Sequence, residues 1–107
     1  MNVLFEDDAL EELYLTGKSS DKKYKKLSRD KKLVEGFRRA VGIMYSVENV
    51  AELEPYSYLH YEKLKYRNES SVRIVNGRIE RLIFVERENG IEVLLIEIDN
   101  THYGNKG

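Results

Sequence analysis

Cysteine and tryptophan are missing altogether, proline occurs once and histidine twice. Without cysteine there is neither a disulfide framework nor a thiolate metal site, and a reducing compartment fits. Two histidines argue against a dedicated transition-metal centre. No apolar run approaches the ~20 residues of a membrane-spanning helix. The opening residues lack the positive start and apolar stretch of a signal peptide. These absences lead us to expect a cytoplasmic protein with no membrane partner, no metal and no organic cofactor. Familiar enzyme signatures are missing too: no Gly-rich phosphate loop, no His-Glu-x-x-His and no nucleophile elbow.

What is present suits one folded domain spanning 1–107, since 107 residues can enclose a single core and 41% are hydrophobic. The net charge is only −1, but the charges lie in blocks of alternating sign. Residues 1–17 carry Glu6, Asp7, Asp8, Glu11 and Glu12 and no base; residues 18–39 carry ten Lys/Arg against Asp21, Asp30 and Glu35. Residues 48–62 are acidic again, and 63–81 hold six bases against two acids. Such blocks can form one basic face beside an acidic one. Lys22 to Lys32 are either a surface for an anionic partner or simply the solvated side of a helix.

Periodicity then orders the elements. A short strand, Asn2 to Phe5, precedes Asp7-Asp8, either of which can cap a helix; Asp8 and Glu11 approximate a capping box. Leu10, Leu13 and Tyr14 form one stripe, and Gly17 is a stop. From Ser19-Ser20-Asp21 a second pattern runs to about Tyr45, with Tyr24, Leu27, Val34, Phe37, Val41 and Met44 on one face. Ser28-Arg29-Asp30 inside it predicts either a bend or a break into two helices. Ser46 can cap a short turn through Leu53, which Pro55 ends. Thereafter the pattern is that of strands: Tyr58 to Tyr66, Ser71 to Val75, Ile79 to Arg87 and Val93 to Ile98. Asn76-Gly77 is a hairpin signal between the second and third of these. Glu97 interrupts an otherwise apolar strand, marking either a pairing with a buried arginine or an exposed edge. The expected class is α+β, an N-terminal strand and two helices packed on one face of a largely antiparallel four- to five-stranded sheet.

Chemistry-bearing residues gather on the C-terminal strands. If Val72 and Ile74 face the helices, Arg73 faces the other way. On the next strand Arg81, a strand-edge arginine, precedes the apolar centre, while Glu62, Lys63 and Lys65 lie on the strand before both. His102 and Tyr103 trail from the last strand. Neighbouring strands are ~4.8 Å apart, so these groups can converge on one open, concave face. Arginine and lysine there would stabilise a charged phosphate, and Glu, His or Tyr could move a proton. That is the equipment of metal-free RNA cleavage: activate a 2′-hydroxyl, stabilise the phosphorane and protonate the leaving oxygen.

The ordered segments 59–65 (LHYEKLK), 70–74 (SSVRI), 80–84 (ERLIF), 95–98 (LIEI) and His102-Tyr103, with the Tyr-bearing helix opening 17–27, resemble the RelE/ParE superfamily of bacterial toxins. The likeness is to its HigB-type branch, with the His-Tyr ending of the YoeB branch. It implies a RelE-like fold and the toxin of a type II toxin–antitoxin system: a ribosome-dependent mRNA endonuclease that inhibits translation. It also implies a cognate antitoxin of the helix-turn-helix kind. By the same resemblance, Glu62, Lys65, Arg81, His102 and Tyr103 are catalytic. Glu62 is a candidate general base, Arg81 the phosphate-stabilising arginine, His102 a proton carrier and Tyr103 a stacking group. Lys63, Arg67 and Arg73 contact RNA; His60, in the same motif, is expected as a half-buried structural residue of the strand. Two other readings stay open: a ParE-like inhibitor of DNA gyrase that catalyses nothing, and a degenerate relative that only binds an antitoxin. The faintly acidic net charge favours the last.

Overall fold

The computed structural model describes residues 1–65 and 68–100. Strand β1 (Asn2–Phe5) leads into helix α1 (Asp8–Thr16), and Asp7, rather than Asp8, supplies the cap, accepting the Ala9 N–H at 2.8 Å. Gly17 ends the helix at φ 76°, a left-handed conformation that glycine adopts without a Cβ penalty. Arg38 donates to the freed carbonyls of Tyr14 and Leu15 at 2.8 and 3.3 Å, which ties the end of α1 to the next long helix.

Of the two readings of the second periodic run, the break holds: among the described residues there are three helices, because that run is cut by its own capping residues. Asp21 caps the single-turn α2 (Lys22–Lys25), a 3-10 turn follows at Leu27–Arg29, and Asp30 starts α3 (Lys31–Ser46) by accepting the Leu33 N–H. The stripe on α3 is buried as its spacing dictates: Leu33, Val34, Phe37, Ala40, Val41 and Met44. A 3-10 turn at Val50–Leu53 is capped by Asn49, not by Ser46.

Asp30 also binds Arg78 at 2.6 Å, and that guanidinium, with the Leu33 N–H, holds its carboxyl below the usual carboxylate range. A depressed folded-state pKa contributes stability above the unfolded value of ~3.9, and this is lost as pH falls through the folded one. Asp30→Asn keeps a capping oxygen and removes the charge. Its unfolding free energy should therefore fall less steeply than wild type between about pH 5 and pH 2. Urea melts across that range check it; parallel slopes would contradict it.

Among the described residues five strands lie in the order β1-β5-β4-β3-β2. Strand β1 runs parallel to β5 (Glu92–Asp99), while β2 (Glu62–Lys63), β3 (Ser70–Arg73), β4 (Arg81–Arg87) and β5 pair antiparallel in turn. The sheet is thus mixed rather than antiparallel throughout, the parallel pairing of β1 with β5 being the departure from expectation. The helices carry the chain away from β1, so that β5 returns beside it in the same sense, a pairing that only a long crossover permits. Of the strand expected over Tyr58–Tyr66, whose last residue lies outside the described ones, two residues are strand: Ser57–Leu59 is a 3-10 turn, and His60, exposed, sits outside the strand at φ 50° and ψ 51°. Asn76-Gly77 belongs to a wider loop over residues 74–80, in which Arg78 bridges Asp30 and Glu80. Glu97 is neither at an edge nor paired with a buried arginine; β5 is an inner strand with a register shift there, and Glu97 meets Lys23 at 3.6 Å.

Alternation along the strands decides what each face carries. Val72, Leu82, Phe84, Val93, Leu95 and Ile98 join Leu10, Leu13, Phe37 and Met44 in one core on the helix side. Residues of the opposite parity point the other way.

Candidate functional site

Two cross-strand rows occupy the face turned from the helices. The register sets Glu62 beside Ser71, Ser71 beside Ile83, and Ile83 beside Glu97. The second row sets Arg73 beside Arg81 and Arg81 beside Asp99. Glu62, Arg73 and Arg81, from three adjacent strands, are therefore brought together. The centre of this face is not an open concavity, since Ser71 and Ile83 are both fully buried.

Arg81 is held rather than free. Its Nε–H donates to Ser71 Oγ at 2.8 Å, one Nη2–H donates to the His60 carbonyl at 2.6 Å, and Nη2 lies 3.9 Å from the Glu62 carboxylate. Its side chain is only 11% exposed, on a strand flanked on both sides. The expectation of a strand-edge arginine that adds charge and little packing is therefore corrected: truncating it would take a charged donor from the buried Ser71 hydroxyl and another from the His60 carbonyl. Glu62, at 48% exposure, can reach solvent and a ligand at once.

Arg73 stands directly across from Arg81, and opposed like charges on neighbouring strands repel. Its Nη1 contacts Asn76 Oδ1 at 3.4 Å, while its Nε–H is buried with no hydrogen-bond partner among the described residues. The two guanidiniums diverge, that of Arg81 toward Ser71 and His60 and that of Arg73 toward Asn76, so what marks the place for an anion is the unanswered buried Arg73 donor beside a second cation.

The lysines fall elsewhere. Lys63 alternates onto the helix side and meets Glu86 at 3.6 Å, and Lys65 is exposed in the turn after β2. Convergence of Lys63 and Lys65 with Glu62 and Arg81 on one face is not what the fold provides, because β2 is too short to carry all of them. Arg67, His102 and Tyr103 lie outside the described residues, although β5 ends at Asp99 directly opposite Arg81. Among the described residues no cluster of His, Cys, Asp and Glu could hold a metal ion.

Two groups escaped the sequence. Ser71 reads as the start of a strand, and only the register shows it under the Arg81 guanidinium. On the helix side, Glu86 accepts the hydroxyls of Tyr61 and Ser70, both at 2.5 Å, at the floor of a cleft of about 530 Å³ lined by Lys63, Asn68 and Glu69. Burial, then the adjoining Glu86 carboxylate, pushes the Tyr61 hydroxyl well above its ordinary pKa, so it stays protonated and donating. The spacing of Tyr61, Ser70 and Glu86 gives no periodic signal that could have joined them.

Chemically, the Glu62–Arg81–Arg73 constellation can bind an oxyanion and accept a proton beside it. Comparison with family models, with characterised proteins and with solved structures returned no match, so the residues themselves carry the functional reading.

Proposed function

We propose that this chain is the toxin of a type II toxin–antitoxin pair, a metal-independent endoribonuclease that cuts mRNA on the ribosome. The observation that carries the reading is the grouping of Glu62, Arg73 and Arg81 on one face of three adjacent strands. Glu62 removes the proton of a ribose 2′-hydroxyl, and the 2′-oxygen attacks the adjoining phosphorus. Arg81 and Arg73 stabilise the charge gathering on the phosphorane oxygens. The P–O5′ bond breaks, and His102, with Tyr103 stacked on a base, protonates the leaving oxygen. The products are a 2′,3′-cyclic phosphate and a 5′-hydroxyl.

Charge placement supports an RNA partner despite the net charge of −1. Two of the three acids in residues 18–39, Asp21 and Asp30, serve as helix caps, and Asp30 is further neutralised by Arg78. Most of the lysines around them project outward. Phosphate neutralisation of this kind supplies much of the affinity for RNA. The partners implied are the ribosome, mRNA and a helix-turn-helix antitoxin, in the cytoplasm.

Expression without an antitoxin tests the reading. Amino-acid incorporation should stop before thymidine incorporation does; the reverse order would favour a gyrase inhibitor. One observation favours the degenerate relative: Arg81 already has protein partners. That relative would leave growth unaffected.

Deleting residues 102–107 should lower cleavage by roughly 10²-fold or more, because a proton donor is lost. Ribosome binding should weaken far less, since Arg73, Arg81 and the lysines remain. Cleavage and co-sedimentation on the same preparation check this; undiminished cleavage would remove His102 and Tyr103 from the mechanism.

A further inference from the structure

We propose that Ser71 and the main-chain carbonyl of His60 position Arg81, fixing its guanidinium plane so that one edge is presented to a phosphate. The inference rests on the function proposed above. An arginine has a long, flexible stem, and a free one must lose much of that freedom when it meets a ligand. Here the loss has already occurred in folding. The Nε–H and one Nη2–H point to the same side of the planar group, and that side is filled by Ser71 Oγ at 2.8 Å and His60 O at 2.6 Å.

What remains is the end of the fork. Nη1 makes no hydrogen bond among the described residues, and the second Nη2–H lies toward Glu62, 3.9 Å away. Two parallel donors of this kind match two oxygens of one phosphate. Glu62 would then stand beside the group whose neighbouring hydroxyl it deprotonates.

The backbone is shaped for the same end. His60 is one of only a few described non-glycine residues with a positive φ, and its left-handed conformation closes the 3-10 turn at Ser57–Leu59 through its N–H to Ser57 O at 3.1 Å. That reversal turns its carbonyl toward Arg81. Strained backbone of this sort persists where surrounding structure demands it. Ser71 is fully buried, so its oxygen faces protein, not water. Neither residue touches the reacting atoms; both act through Arg81.

The test is a cycle of Ser71→Ala and Arg81→Lys on the full chain, read by single-turnover cleavage of ribosome-bound mRNA and by ribosome affinity. Ser71→Ala should lower the cleavage rate about tenfold in the wild-type background, with affinity changed less than about twofold. In Arg81→Lys it should cost nothing further, because lysine has no Nε–H for Ser71 to hold. A purely structural Ser71 would lower the rate by the same factor in both backgrounds, and that result overturns the proposal. If Ser71→Ala does not fold, Ser71→Cys, similar in volume and a weaker acceptor, carries the same comparison. An independent arm reads the Arg81 Nε–H by ¹⁵N-edited NMR. A slowly exchanging signal in the wild type should be lost in the Ser71 variant, and a signal unchanged by it overturns the proposal. Should the wild-type chain cut no mRNA, the proposed function fails, and the NMR arm still decides whether Ser71 fixes Arg81.

Discussion

Gly36→Ala should destabilise the fold by about 2–4 kcal/mol, more than expected for a change that normally favours a helix. A Cβ built at Gly36 would stand 2.4 Å from the Ile74 carbonyl oxygen and 3.1 Å from its Cγ2. The obstacle is backbone, so no rotamer change relieves it. Helix α3 lies on the chain just past β3 at this point, and a methyl group must push the two apart. The displaced stretch includes Phe37 and Ile74, both part of the core. For a domain of this size, each kcal/mol shifts Tm by roughly 4–8 °C, so a fall of about 8–32 °C is expected in thermal melts. Gly42→Ala on the same helix serves as the control, since nothing lies within 4 Å of a Cβ there. It should be neutral or slightly stabilising. A Gly36→Ala protein that melts with wild type would show that α3 and β3 are less tightly apposed than described.

Arg81→Ala should reduce mRNA cleavage by about 10²–10³-fold, the usual result of removing one preorganised donor from a developing oxyanion. Unlike an exposed arginine, it should also cost stability, about 1–3 kcal/mol, because the fully buried Ser71 hydroxyl loses a charged donor. Arg81→Lys separates the two effects. It keeps the positive charge near Glu62 but cannot serve Ser71, His60 and a phosphate together. Its cleavage should stay at least tenfold below wild type at matched folded fraction. Denaturant melts beside cleavage rates on the same preparations decide the matter. Full cleavage by Arg81→Lys would reduce Arg81 to a charge of no fixed geometry.

The helical half of the molecule was legible because its signals are local. Asp21, Gly17 and the stripe from Leu33 to Met44 act within a few residues, and the described elements follow them. Asp30 is legible as cap chemistry, whereas its ion pair with Arg78, 48 residues away, has no local signal. The sheet was less legible, because strand order and direction are not local properties. Nothing in Asn2–Phe5 says that it will pair in parallel with Glu92–Asp99. Aromatic alternation over Tyr58–Tyr66 predicts a strand, yet Tyr61 and Leu59 turn inward without one, Tyr61 stacking on Phe84 with ring centroids 6.3 Å apart. Tertiary packing overrides local preference there.

The same division runs through the candidate site. Glu62, Arg73 and Arg81 are legible as residue types, and alternation alone sets Arg73 opposite to Val72. Lys63 was misplaced because β2 is a two-residue strand whose parity sends it to Glu86. Ser71 is not legible, because a serine beside a turn carries no distinguishing pattern. Its meaning comes from register, which puts Arg81 two residues from its partner Ile83 and within reach of its hydroxyl.

One measurement bears most directly on the proposal that these residues cleave RNA through its own 2′-hydroxyl. Purified chain is added to ribosomes programmed with a defined mRNA, and the 3′ end of the upstream fragment is identified. The same mRNA is then supplied with a single 2′-deoxynucleotide at the position of the cut. The prediction is a 2′,3′-cyclic phosphate on the first fragment and no cut at that position in the second message. Cleavage that survives the deoxy substitution, or an intact first message, would contradict it.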